Sequence, residues 1–382
     1  MEHNFSLARR IGVTAFAFRG YNLTNLGRTP ELLARPAYTP IIEACLMEAS
    51  QLCSEILNRK VDLSERVRRE QETVNLETYT EDVALIVAVS IAQIRLLDKF
   101  FGLSLSAAKL AFGYSLGEIA ALVAAGVYSM VELLRVPLSL CEDCVALAHD
   151  VSMGVLFSRG PALDQAAVKR LCLHISQEGR GVIDMSAQLA PNSVLLLGQR
   201  DTVERYQKKM RTLMPEAHLR KKNLSLPPMH TAIVRQRAIA ERASVLLETA
   251  SGGFQAPSVR LFSGVTGKAS YNDHNSRDLL YRWVDHPQQL WSMVHETMVS
   301  GAEAVIHVGP APNIIPATFK RLAEDIRGQT KGYTPSRLGL RAVSQLARRP
   351  WLSQLLPSAT ALLRAPFVQQ INLEDWLLDQ NI

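Results

Sequence analysis

Two periodicities divide the apolar positions of this chain. Thr14-Ala15-Phe16-Ala17-Phe18 is a short run without polar interruption, closed by Arg19-Gly20-Tyr21-Asn22, and it reads as a buried strand followed by a turn. Residues 38–58 and 80–100 carry long helical patterns. The stretch Val83–Val89 in the second is apolar on every face, which predicts a helix inside the core. A further apolar run, Lys109 to Phe112, leads into Gly113-Tyr114-Ser115-Leu116-Gly117-Glu118 and then into helical sequence to about Ala125. Another helix is expected from Val131 to about His149.

From 150 to 222 the alternation becomes compact: strand Met153–Phe157, helix Leu163–Cys172, strand Gly181–Met185, strand Ser193–Leu197, helix Thr202–Leu213, strand His218–Leu224. The order βαββαβ predicts an inserted ferredoxin-like subdomain. The chain returns through Leu226-Pro227-Pro228-Met229-His230 to a helix over Thr231–Thr249, a strand at Val259–Ser263, a helix near 287–300 and a strand at Ala304–Val308. Parallel strands alternating with helices make the fold class α/β, with an α/β-hydrolase-like core. The expected division is a large domain over 12–149 and 223–330, the subdomain over 150–222, and a helical C-terminal tail over 331–382 with leucine-rich stretches at Leu352, Leu355 and Leu356.

A chain of 382 residues, 47% hydrophobic and 20% charged, buries a large core and does not match the composition of a disordered protein. No apolar stretch reaches a bilayer span and the first residues do not form a signal peptide, so no membrane association and a cytoplasmic location are expected. Five cysteines give no disulfide framework, and Cys141 and Cys144, in a helical stretch without a second pair, read as buried thiols and not as a metal site. The net charge of +6 suits an acidic partner. The basic clusters at Lys208, Lys209, Arg211 and at Arg220, Lys221, Lys222 lack interleaved aromatics, so no nucleic-acid partner is expected.

Gly113-Tyr114-Ser115-Leu116-Gly117 between a strand and a helix has the form of a nucleophile elbow, a strained turn that exposes the Ser115 hydroxyl beside helix N-terminal N–H groups. A serine hydroxyl needs a base. Among nine histidines His230 is the first choice, because it lies on the loop where the chain re-enters the large domain. An ordinary α/β-hydrolase would instead run Ser115, Asp184 and a late histidine such as His307, but the inserted subdomain and the early glycine turn fit that poorly.

Six segments in order, from the Phe-Ala-Phe-x-Gly strand through Gly-Tyr-Ser-Leu-Gly-Glu, the insertion, Pro-Pro-Met-His230-Thr and Phe262-Ser-Gly-Val-Thr-Gly to His307-Val-Gly-Pro310, resemble the malonyl-CoA:acyl carrier protein transacylase family over roughly residues 12–326. The resemblance implies ping-pong acyl transfer from coenzyme A through Ser115 to the phosphopantetheine thiol of an acidic acyl carrier protein, in fatty acid or polyketide assembly, with no bound cofactor or metal. His230 would be the base, the backbone N–H groups of Leu116 and Tyr21 the oxyanion hole, and the backbone carbonyl of Trp283 the group that orients the histidine. Departures from the family pattern are Arg19-Gly20-Tyr21-Asn22 in place of Pro-Gly-Gln-Gly and Tyr114 in place of His. The arginine that clamps the malonyl carboxylate, 25 residues after the nucleophile, is replaced by Leu140, with Glu142 and Asp143 after it. Arg135 lies about 140° away around the helix. Two substrate readings stay open, malonyl held by another cation or a neutral acyl group. An acyl-carrier-protein thioesterase and a non-catalytic carrier-binding subunit are the alternatives, the latter opposed by the intact Ser/His pair.

Overall fold

The computed structural model describes residues 7–72, 75–159, 162–222, 224–330 and 358–382. Strand β1 (Thr14–Phe18) is buried along its whole length, as its unbroken apolar run requires. The chain then makes a long helical excursion, Thr39–Leu57, Leu63–Arg68 and Tyr79–Phe101. The last of these is buried on all sides from Asp82 to Gln93 and stops at Gly102, whose φ of 63° supplies the left-handed C-cap. Strand β2 (Leu110–Gly113) follows and runs into the helix Leu116–Ala124. The next helix, Met130–Ala148, begins at a reciprocal capping box between Ser129 and Glu132.

Residues 151–222 build an antiparallel sheet of β3 (Val151–Ser158), β4 (Ile183–Ala190), β5 (Ser193–Gln199) and β6 (Ala217–Lys222), with spatial order β4-β5-β3-β6. Its two helices are Gln165–Ser176 and Thr202–Leu213. The first starts at Gln165 and not at Leu163, because the Asp164 carboxylate caps the N–H groups of Ala166 and Ala167.

The return segment departs from the expected single helix over 231–249. A 3₁₀ segment, Ala232–Arg237, is separated from the α-helix Ile239–Thr249 by Ala238 at φ 48°. Strand β7 (Leu261–Phe262) has only two residues. A helix at Ser276–Asp285 was not foreseen, and the one expected near 287–300 spans Leu290–Val299. Strand β8 (Ala304–Val308) lies where the sequence pattern placed it.

The expected helical tail needs correction within its described part. Gln369–Asn372 forms a strand, β9, parallel to β8, before the short helix Leu373–Leu378. Open hydrogen-bonding groups at the sheet edge, and not the side-chain pattern, decide that conformation. Leu352, Leu355 and Leu356 lie outside the described residues.

The large sheet is parallel throughout, in the order β7-β2-β1-β8-β9. Phe18 is in register with both Gly113 and Val308, so the turns after β1, β2 and β8 open on the same edge, where ligands bind in parallel sheets. The tail braces that edge. Glu374, buried, accepts from the backbone N–H groups of Arg28 and Ala311 at 3.1 and 2.9 Å, and the Tyr38 hydroxyl donates to the Leu377 carbonyl at 3.0 Å.

Candidate active site

Ser115 stands between β2 and its helix with φ 55° and ψ −122°, a strained conformation for a residue with a side chain. It alone is not buried between Leu110 and Leu122. The glycines permit this by close approach. A Cβ on Gly117 would lie 2.1 Å from the Phe18 carbonyl oxygen, and one on Gly113 only 2.0 Å from the Gly117 carbonyl carbon. One on Gly20 would lie 2.6 Å from the Tyr114 carbonyl oxygen and 3.2 Å from Ser115 Cβ, so the Arg19–Asn22 turn is pressed against the elbow.

Arg19 anchors that turn from inside. Its guanidinium is buried and donates to the carbonyls of Gly20 (2.8 Å) and Pro310 and to Asn25 Oδ1 (2.8 Å). Burial draws its pKa down to about 10, with Glu374 acting in the opposite direction. The backbone N–H of Leu116 opens the helix after Ser115, whereas those of Gly117 and Glu118 already turn back to the carbonyls of Tyr114 and Ser115.

His230 reaches the elbow from the loop after β6. Its Nε2 lies 2.7 Å from Ser115 Oγ and its Nδ1 2.6 Å from the Trp283 carbonyl oxygen. A carbonyl only accepts, so Nδ1 carries the hydrogen and Nε2 keeps the lone pair toward the serine. The loop is held at φ 65° at His230 itself by a bond from its N–H to the Val284 carbonyl at 2.7 Å. Ser186 of β4 donates to the Met229 carbonyl at 3.2 Å, and Asp184 of β4 accepts from Ala232 N–H at 3.1 Å. Burial lowers the His230 pKa to about 4, against the Trp283 bond, so the ring is neutral near pH 7.

Trp283 has a second part in the site that sequence reasoning missed. Its indole Nε1 donates to the Ser115 carbonyl at 3.0 Å, so one residue ties the histidine to the elbow. Gln288, also unforeseen, places its side-chain amide 3.3 Å from His230 Nδ1. Behind it is Glu118, fully buried, which accepts from Tyr271 at 2.6 Å and Gly264 N–H at 3.1 Å, and whose pKa burial pushes up to about 7. Neither residue could be paired with His230 from spacing, because Glu118, His230 and Gln288 meet only through the fold.

The rival triad is not assembled. Asp184 is engaged by Ala232 and by Met185 N–H, while His307, within β8, bonds Gln370 Oε1 at 2.7 Å. Leu140 is buried in the apolar core, and Arg135 points to the surface, where it pairs with Glu55 at 2.8 Å. Glu142 is exposed, and Asp143 is bound by Arg237 and Arg242, so neither leaves a bare negative charge beside position 140. Tyr21 packs edge-on against Tyr79 at 4.8 Å between ring centroids. Cys141 and Cys144 are buried thiols, and Cys144 Sγ lies 3.5 Å from Met229 Sδ, in the loop that carries His230. Lys209 and Lys221 of the basic clusters pair with Glu178 and Glu204.

A serine at a strained turn on a parallel sheet, with a neutral histidine against its hydroxyl, is an arrangement in which a histidine can activate a serine nucleophile. In sequence and fold the chain is similar to malonyl-CoA:acyl carrier protein transacylases. It is 26% identical over 318 residues to the malonyl CoA-acyl carrier protein transacylase of Escherichia coli, a match covering 82% of this chain and 93% of that protein. The Salmonella typhimurium protein of the same name is 26% identical over 315 residues, again 82% and 93% of the two chains. Among solved structures, MCAT from Streptococcus pneumoniae superposes with a TM-score of 0.64 at 21% identity, covering 81% of this chain and 92% of that one. A malonyl-transacylase in complex with a type II PKS acyl-carrier protein superposes with a TM-score of 0.62 at 23% identity, covering 80% and 91%. No family model matches the chain. Among the described residues no helix is long and apolar enough to cross a membrane, and no group of His, Cys, Asp and Glu could hold a metal ion.

Proposed function

We propose that the chain takes an acyl group from coenzyme A onto Ser115 and passes it to the phosphopantetheine thiol of an acyl carrier protein. The observation that carries this reading is the 2.7 Å contact between Ser115 Oγ and His230 Nε2, in a histidine whose other nitrogen is committed to a backbone carbonyl. His230 Nε2 takes the Ser115 proton as Oγ attacks the thioester carbonyl carbon. The N–H groups of Leu116 and Tyr21 hold the oxyanion, a contribution on the order of a few kcal/mol to the barrier. Collapse breaks the C–S bond and His230 returns the proton to the coenzyme A sulfur. The carrier thiol then attacks the acyl-serine by the same steps in reverse.

The substrate is read from Leu140. With an apolar side chain there and Arg135 paired at the surface, a free carboxylate lacks the bidentate partner that a buried anion needs, so the acyl group is neutral. The carrier protein as acceptor is supported by the transacylase relatives, and a net charge of +6 favours an acidic one. The five cysteines are buried free thiols, which suits a reducing compartment, and we place the reaction in the cytoplasm.

Intact-protein mass spectrometry tests the reading. Incubation with acetyl-CoA, a longer neutral acyl-CoA or malonyl-CoA should add one acyl mass, lost in Ser115→Ala and discharged by holo-carrier protein. An adduct that persists in Ser115→Ala refutes it, and one that decays in water without a carrier marks a hydrolase.

A further inference from the structure

The Gln288 amide is fully buried and pinned at both ends of its own backbone, N–H to the Ser186 carbonyl and carbonyl to the Gln188 N–H, each at 2.8 Å. Its side chain faces His230 on one side and Glu118 on the other. With Nε2 toward His230, an amide donor meets Nδ1 at 3.3 Å, although Nδ1 must itself donate to Trp283. At the other end two acceptors are stranded. Gln288 Oε1 and Glu118 Oε2 are both buried without a hydrogen-bond donor, and both crowd the Cβ position that Gly264 leaves empty, at 2.1 and 2.9 Å.

A half-turn of the amide about its Cγ–Cδ bond replaces the donor facing Nδ1–H by an acceptor and turns a donor toward the end where the two acceptors are stranded. Oε1 then accepts from His230 Nδ1–H alongside the Trp283 carbonyl, and Nε2 donates to Glu118 Oε2. The other Glu118 oxygen, Oε1, accepts from Gly264 N–H and the Tyr271 hydroxyl.

We propose that Gln288 is a positioning residue for His230, accepting from Nδ1–H through Oε1 while Glu118 fixes the amide's orientation by accepting from Nε2. This rests on the reading of Ser115 and His230 as nucleophile and base. Gln288 and Glu118 do not touch the reacting atoms. They hold the tautomer whose Nε2 can take the serine proton, and an inverted amide would favour the tautomer that cannot.

Glu118→Gln separates this from a packing role, because it keeps shape and replaces only the acceptor facing Gln288 by a donor. Gly264 N–H holds the new carbonyl oxygen where Oε1 was, so the new NH₂ faces Gln288 and turns its amide the wrong way. The experiment reads imidazole ¹⁵N shifts of His230 and the single-turnover rate of Ser115 acylation, in wild type, Glu118→Gln, Gln288→Leu and the double variant, each checked for an unchanged fold by circular dichroism.

Above pH 7, where Glu118 is ionised, wild type should show a protonated Nδ1 and a pyridine-like Nε2. Glu118→Gln should move population to the Nε2–H form and slow acylation on the order of tenfold or more. In the Gln288→Leu background the same change should have no further effect on either readout. Unchanged His230 shifts in Glu118→Gln, or an equal loss from it in both backgrounds, overturn the proposal. The nitrogen shifts need no acyl donor, so a failure of the proposed acyl transfer appears separately, as an unlabelled Ser115 beside a correctly protonated ring.

Discussion

Gly20→Ala probes the proposed oxyanion turn while leaving Ser115 and His230 themselves unchanged. The added methyl would sit 2.6 Å from the Tyr114 carbonyl oxygen, where ordinary contacts begin at 3.4 Å, and 3.2 Å from Ser115 Cβ. The obstruction is backbone, so the turn itself must retreat by roughly 0.8 Å, and overpacking of this kind costs about 1–3 kcal/mol of stability. The same retreat carries the Tyr21 N–H beyond the ~2.7–3.1 Å reach that an oxyanion donor requires. Loss of one such donor corresponds to about a 10²–10³-fold slower chemical step. Single-turnover acylation of Ser115, followed by quenched-flow mass spectrometry, should show that fall with half-saturation by the acyl-CoA nearly unchanged. Gly12→Ala, where the nearest atom is 4.0 Å away, serves as the neutral control. Wild-type acylation in a folded Gly20→Ala protein would refute the assignment of Tyr21 to the oxyanion hole.

His230→Ala should slow acylation by about 10²-fold or more, as for a lost general base, while His307→Ala should cost less because His307 bonds Gln370 within the sheet; the opposite ranking in folded variants contradicts the site. Burial lowers both imidazoles to about 4, so each is neutral above that pH and gains its proton only as pH falls through it. An NMR titration should find His230 and His307 protonating near pH 4, and a His230 midpoint near 6.5 would show a solvated ring unlike this one. Acetyl-CoA or a longer neutral acyl-CoA should acylate the protein at least as readily as malonyl-CoA, and Leu140→Arg should shift preference toward malonyl; a strong malonyl preference in the unaltered protein would mean that another cation clamps the carboxylate.

The sequence alone carried what depends on local pattern. A mostly apolar run between polar stretches specifies a strand buried on both faces, which is why Thr14–Phe18 and Ala304–Val308, interrupted only by His307, were legible to the residue. The Gly-x-Ser-x-Gly turn was readable because its glycines answer a steric need within five residues of chain. The tail strand Gln369–Asn372 was not, since its conformation comes from the free edge of β8 and not from its own side chains. The break at Ala238 and the capped start at Gln165 likewise turn on hydrogen bonds that outweigh helical periodicity.

In the site, Ser115, His230 and the Trp283 carbonyl that faces the ring were read from turn chemistry, loop position and the family resemblance, but three further contacts were not. Trp283 Nε1 on the Ser115 carbonyl, Gln288 beside Nδ1 and Glu118 behind it join residues far apart in the chain, and only the folding of the large domain, with β4 holding the Gln288 backbone, brings them within bonding distance. Local sequence determines which groups can react. Burial and long-range contact decide which of them do, because both the histidine's lowered pKa and its tautomer are properties of the surroundings that the fold assembles.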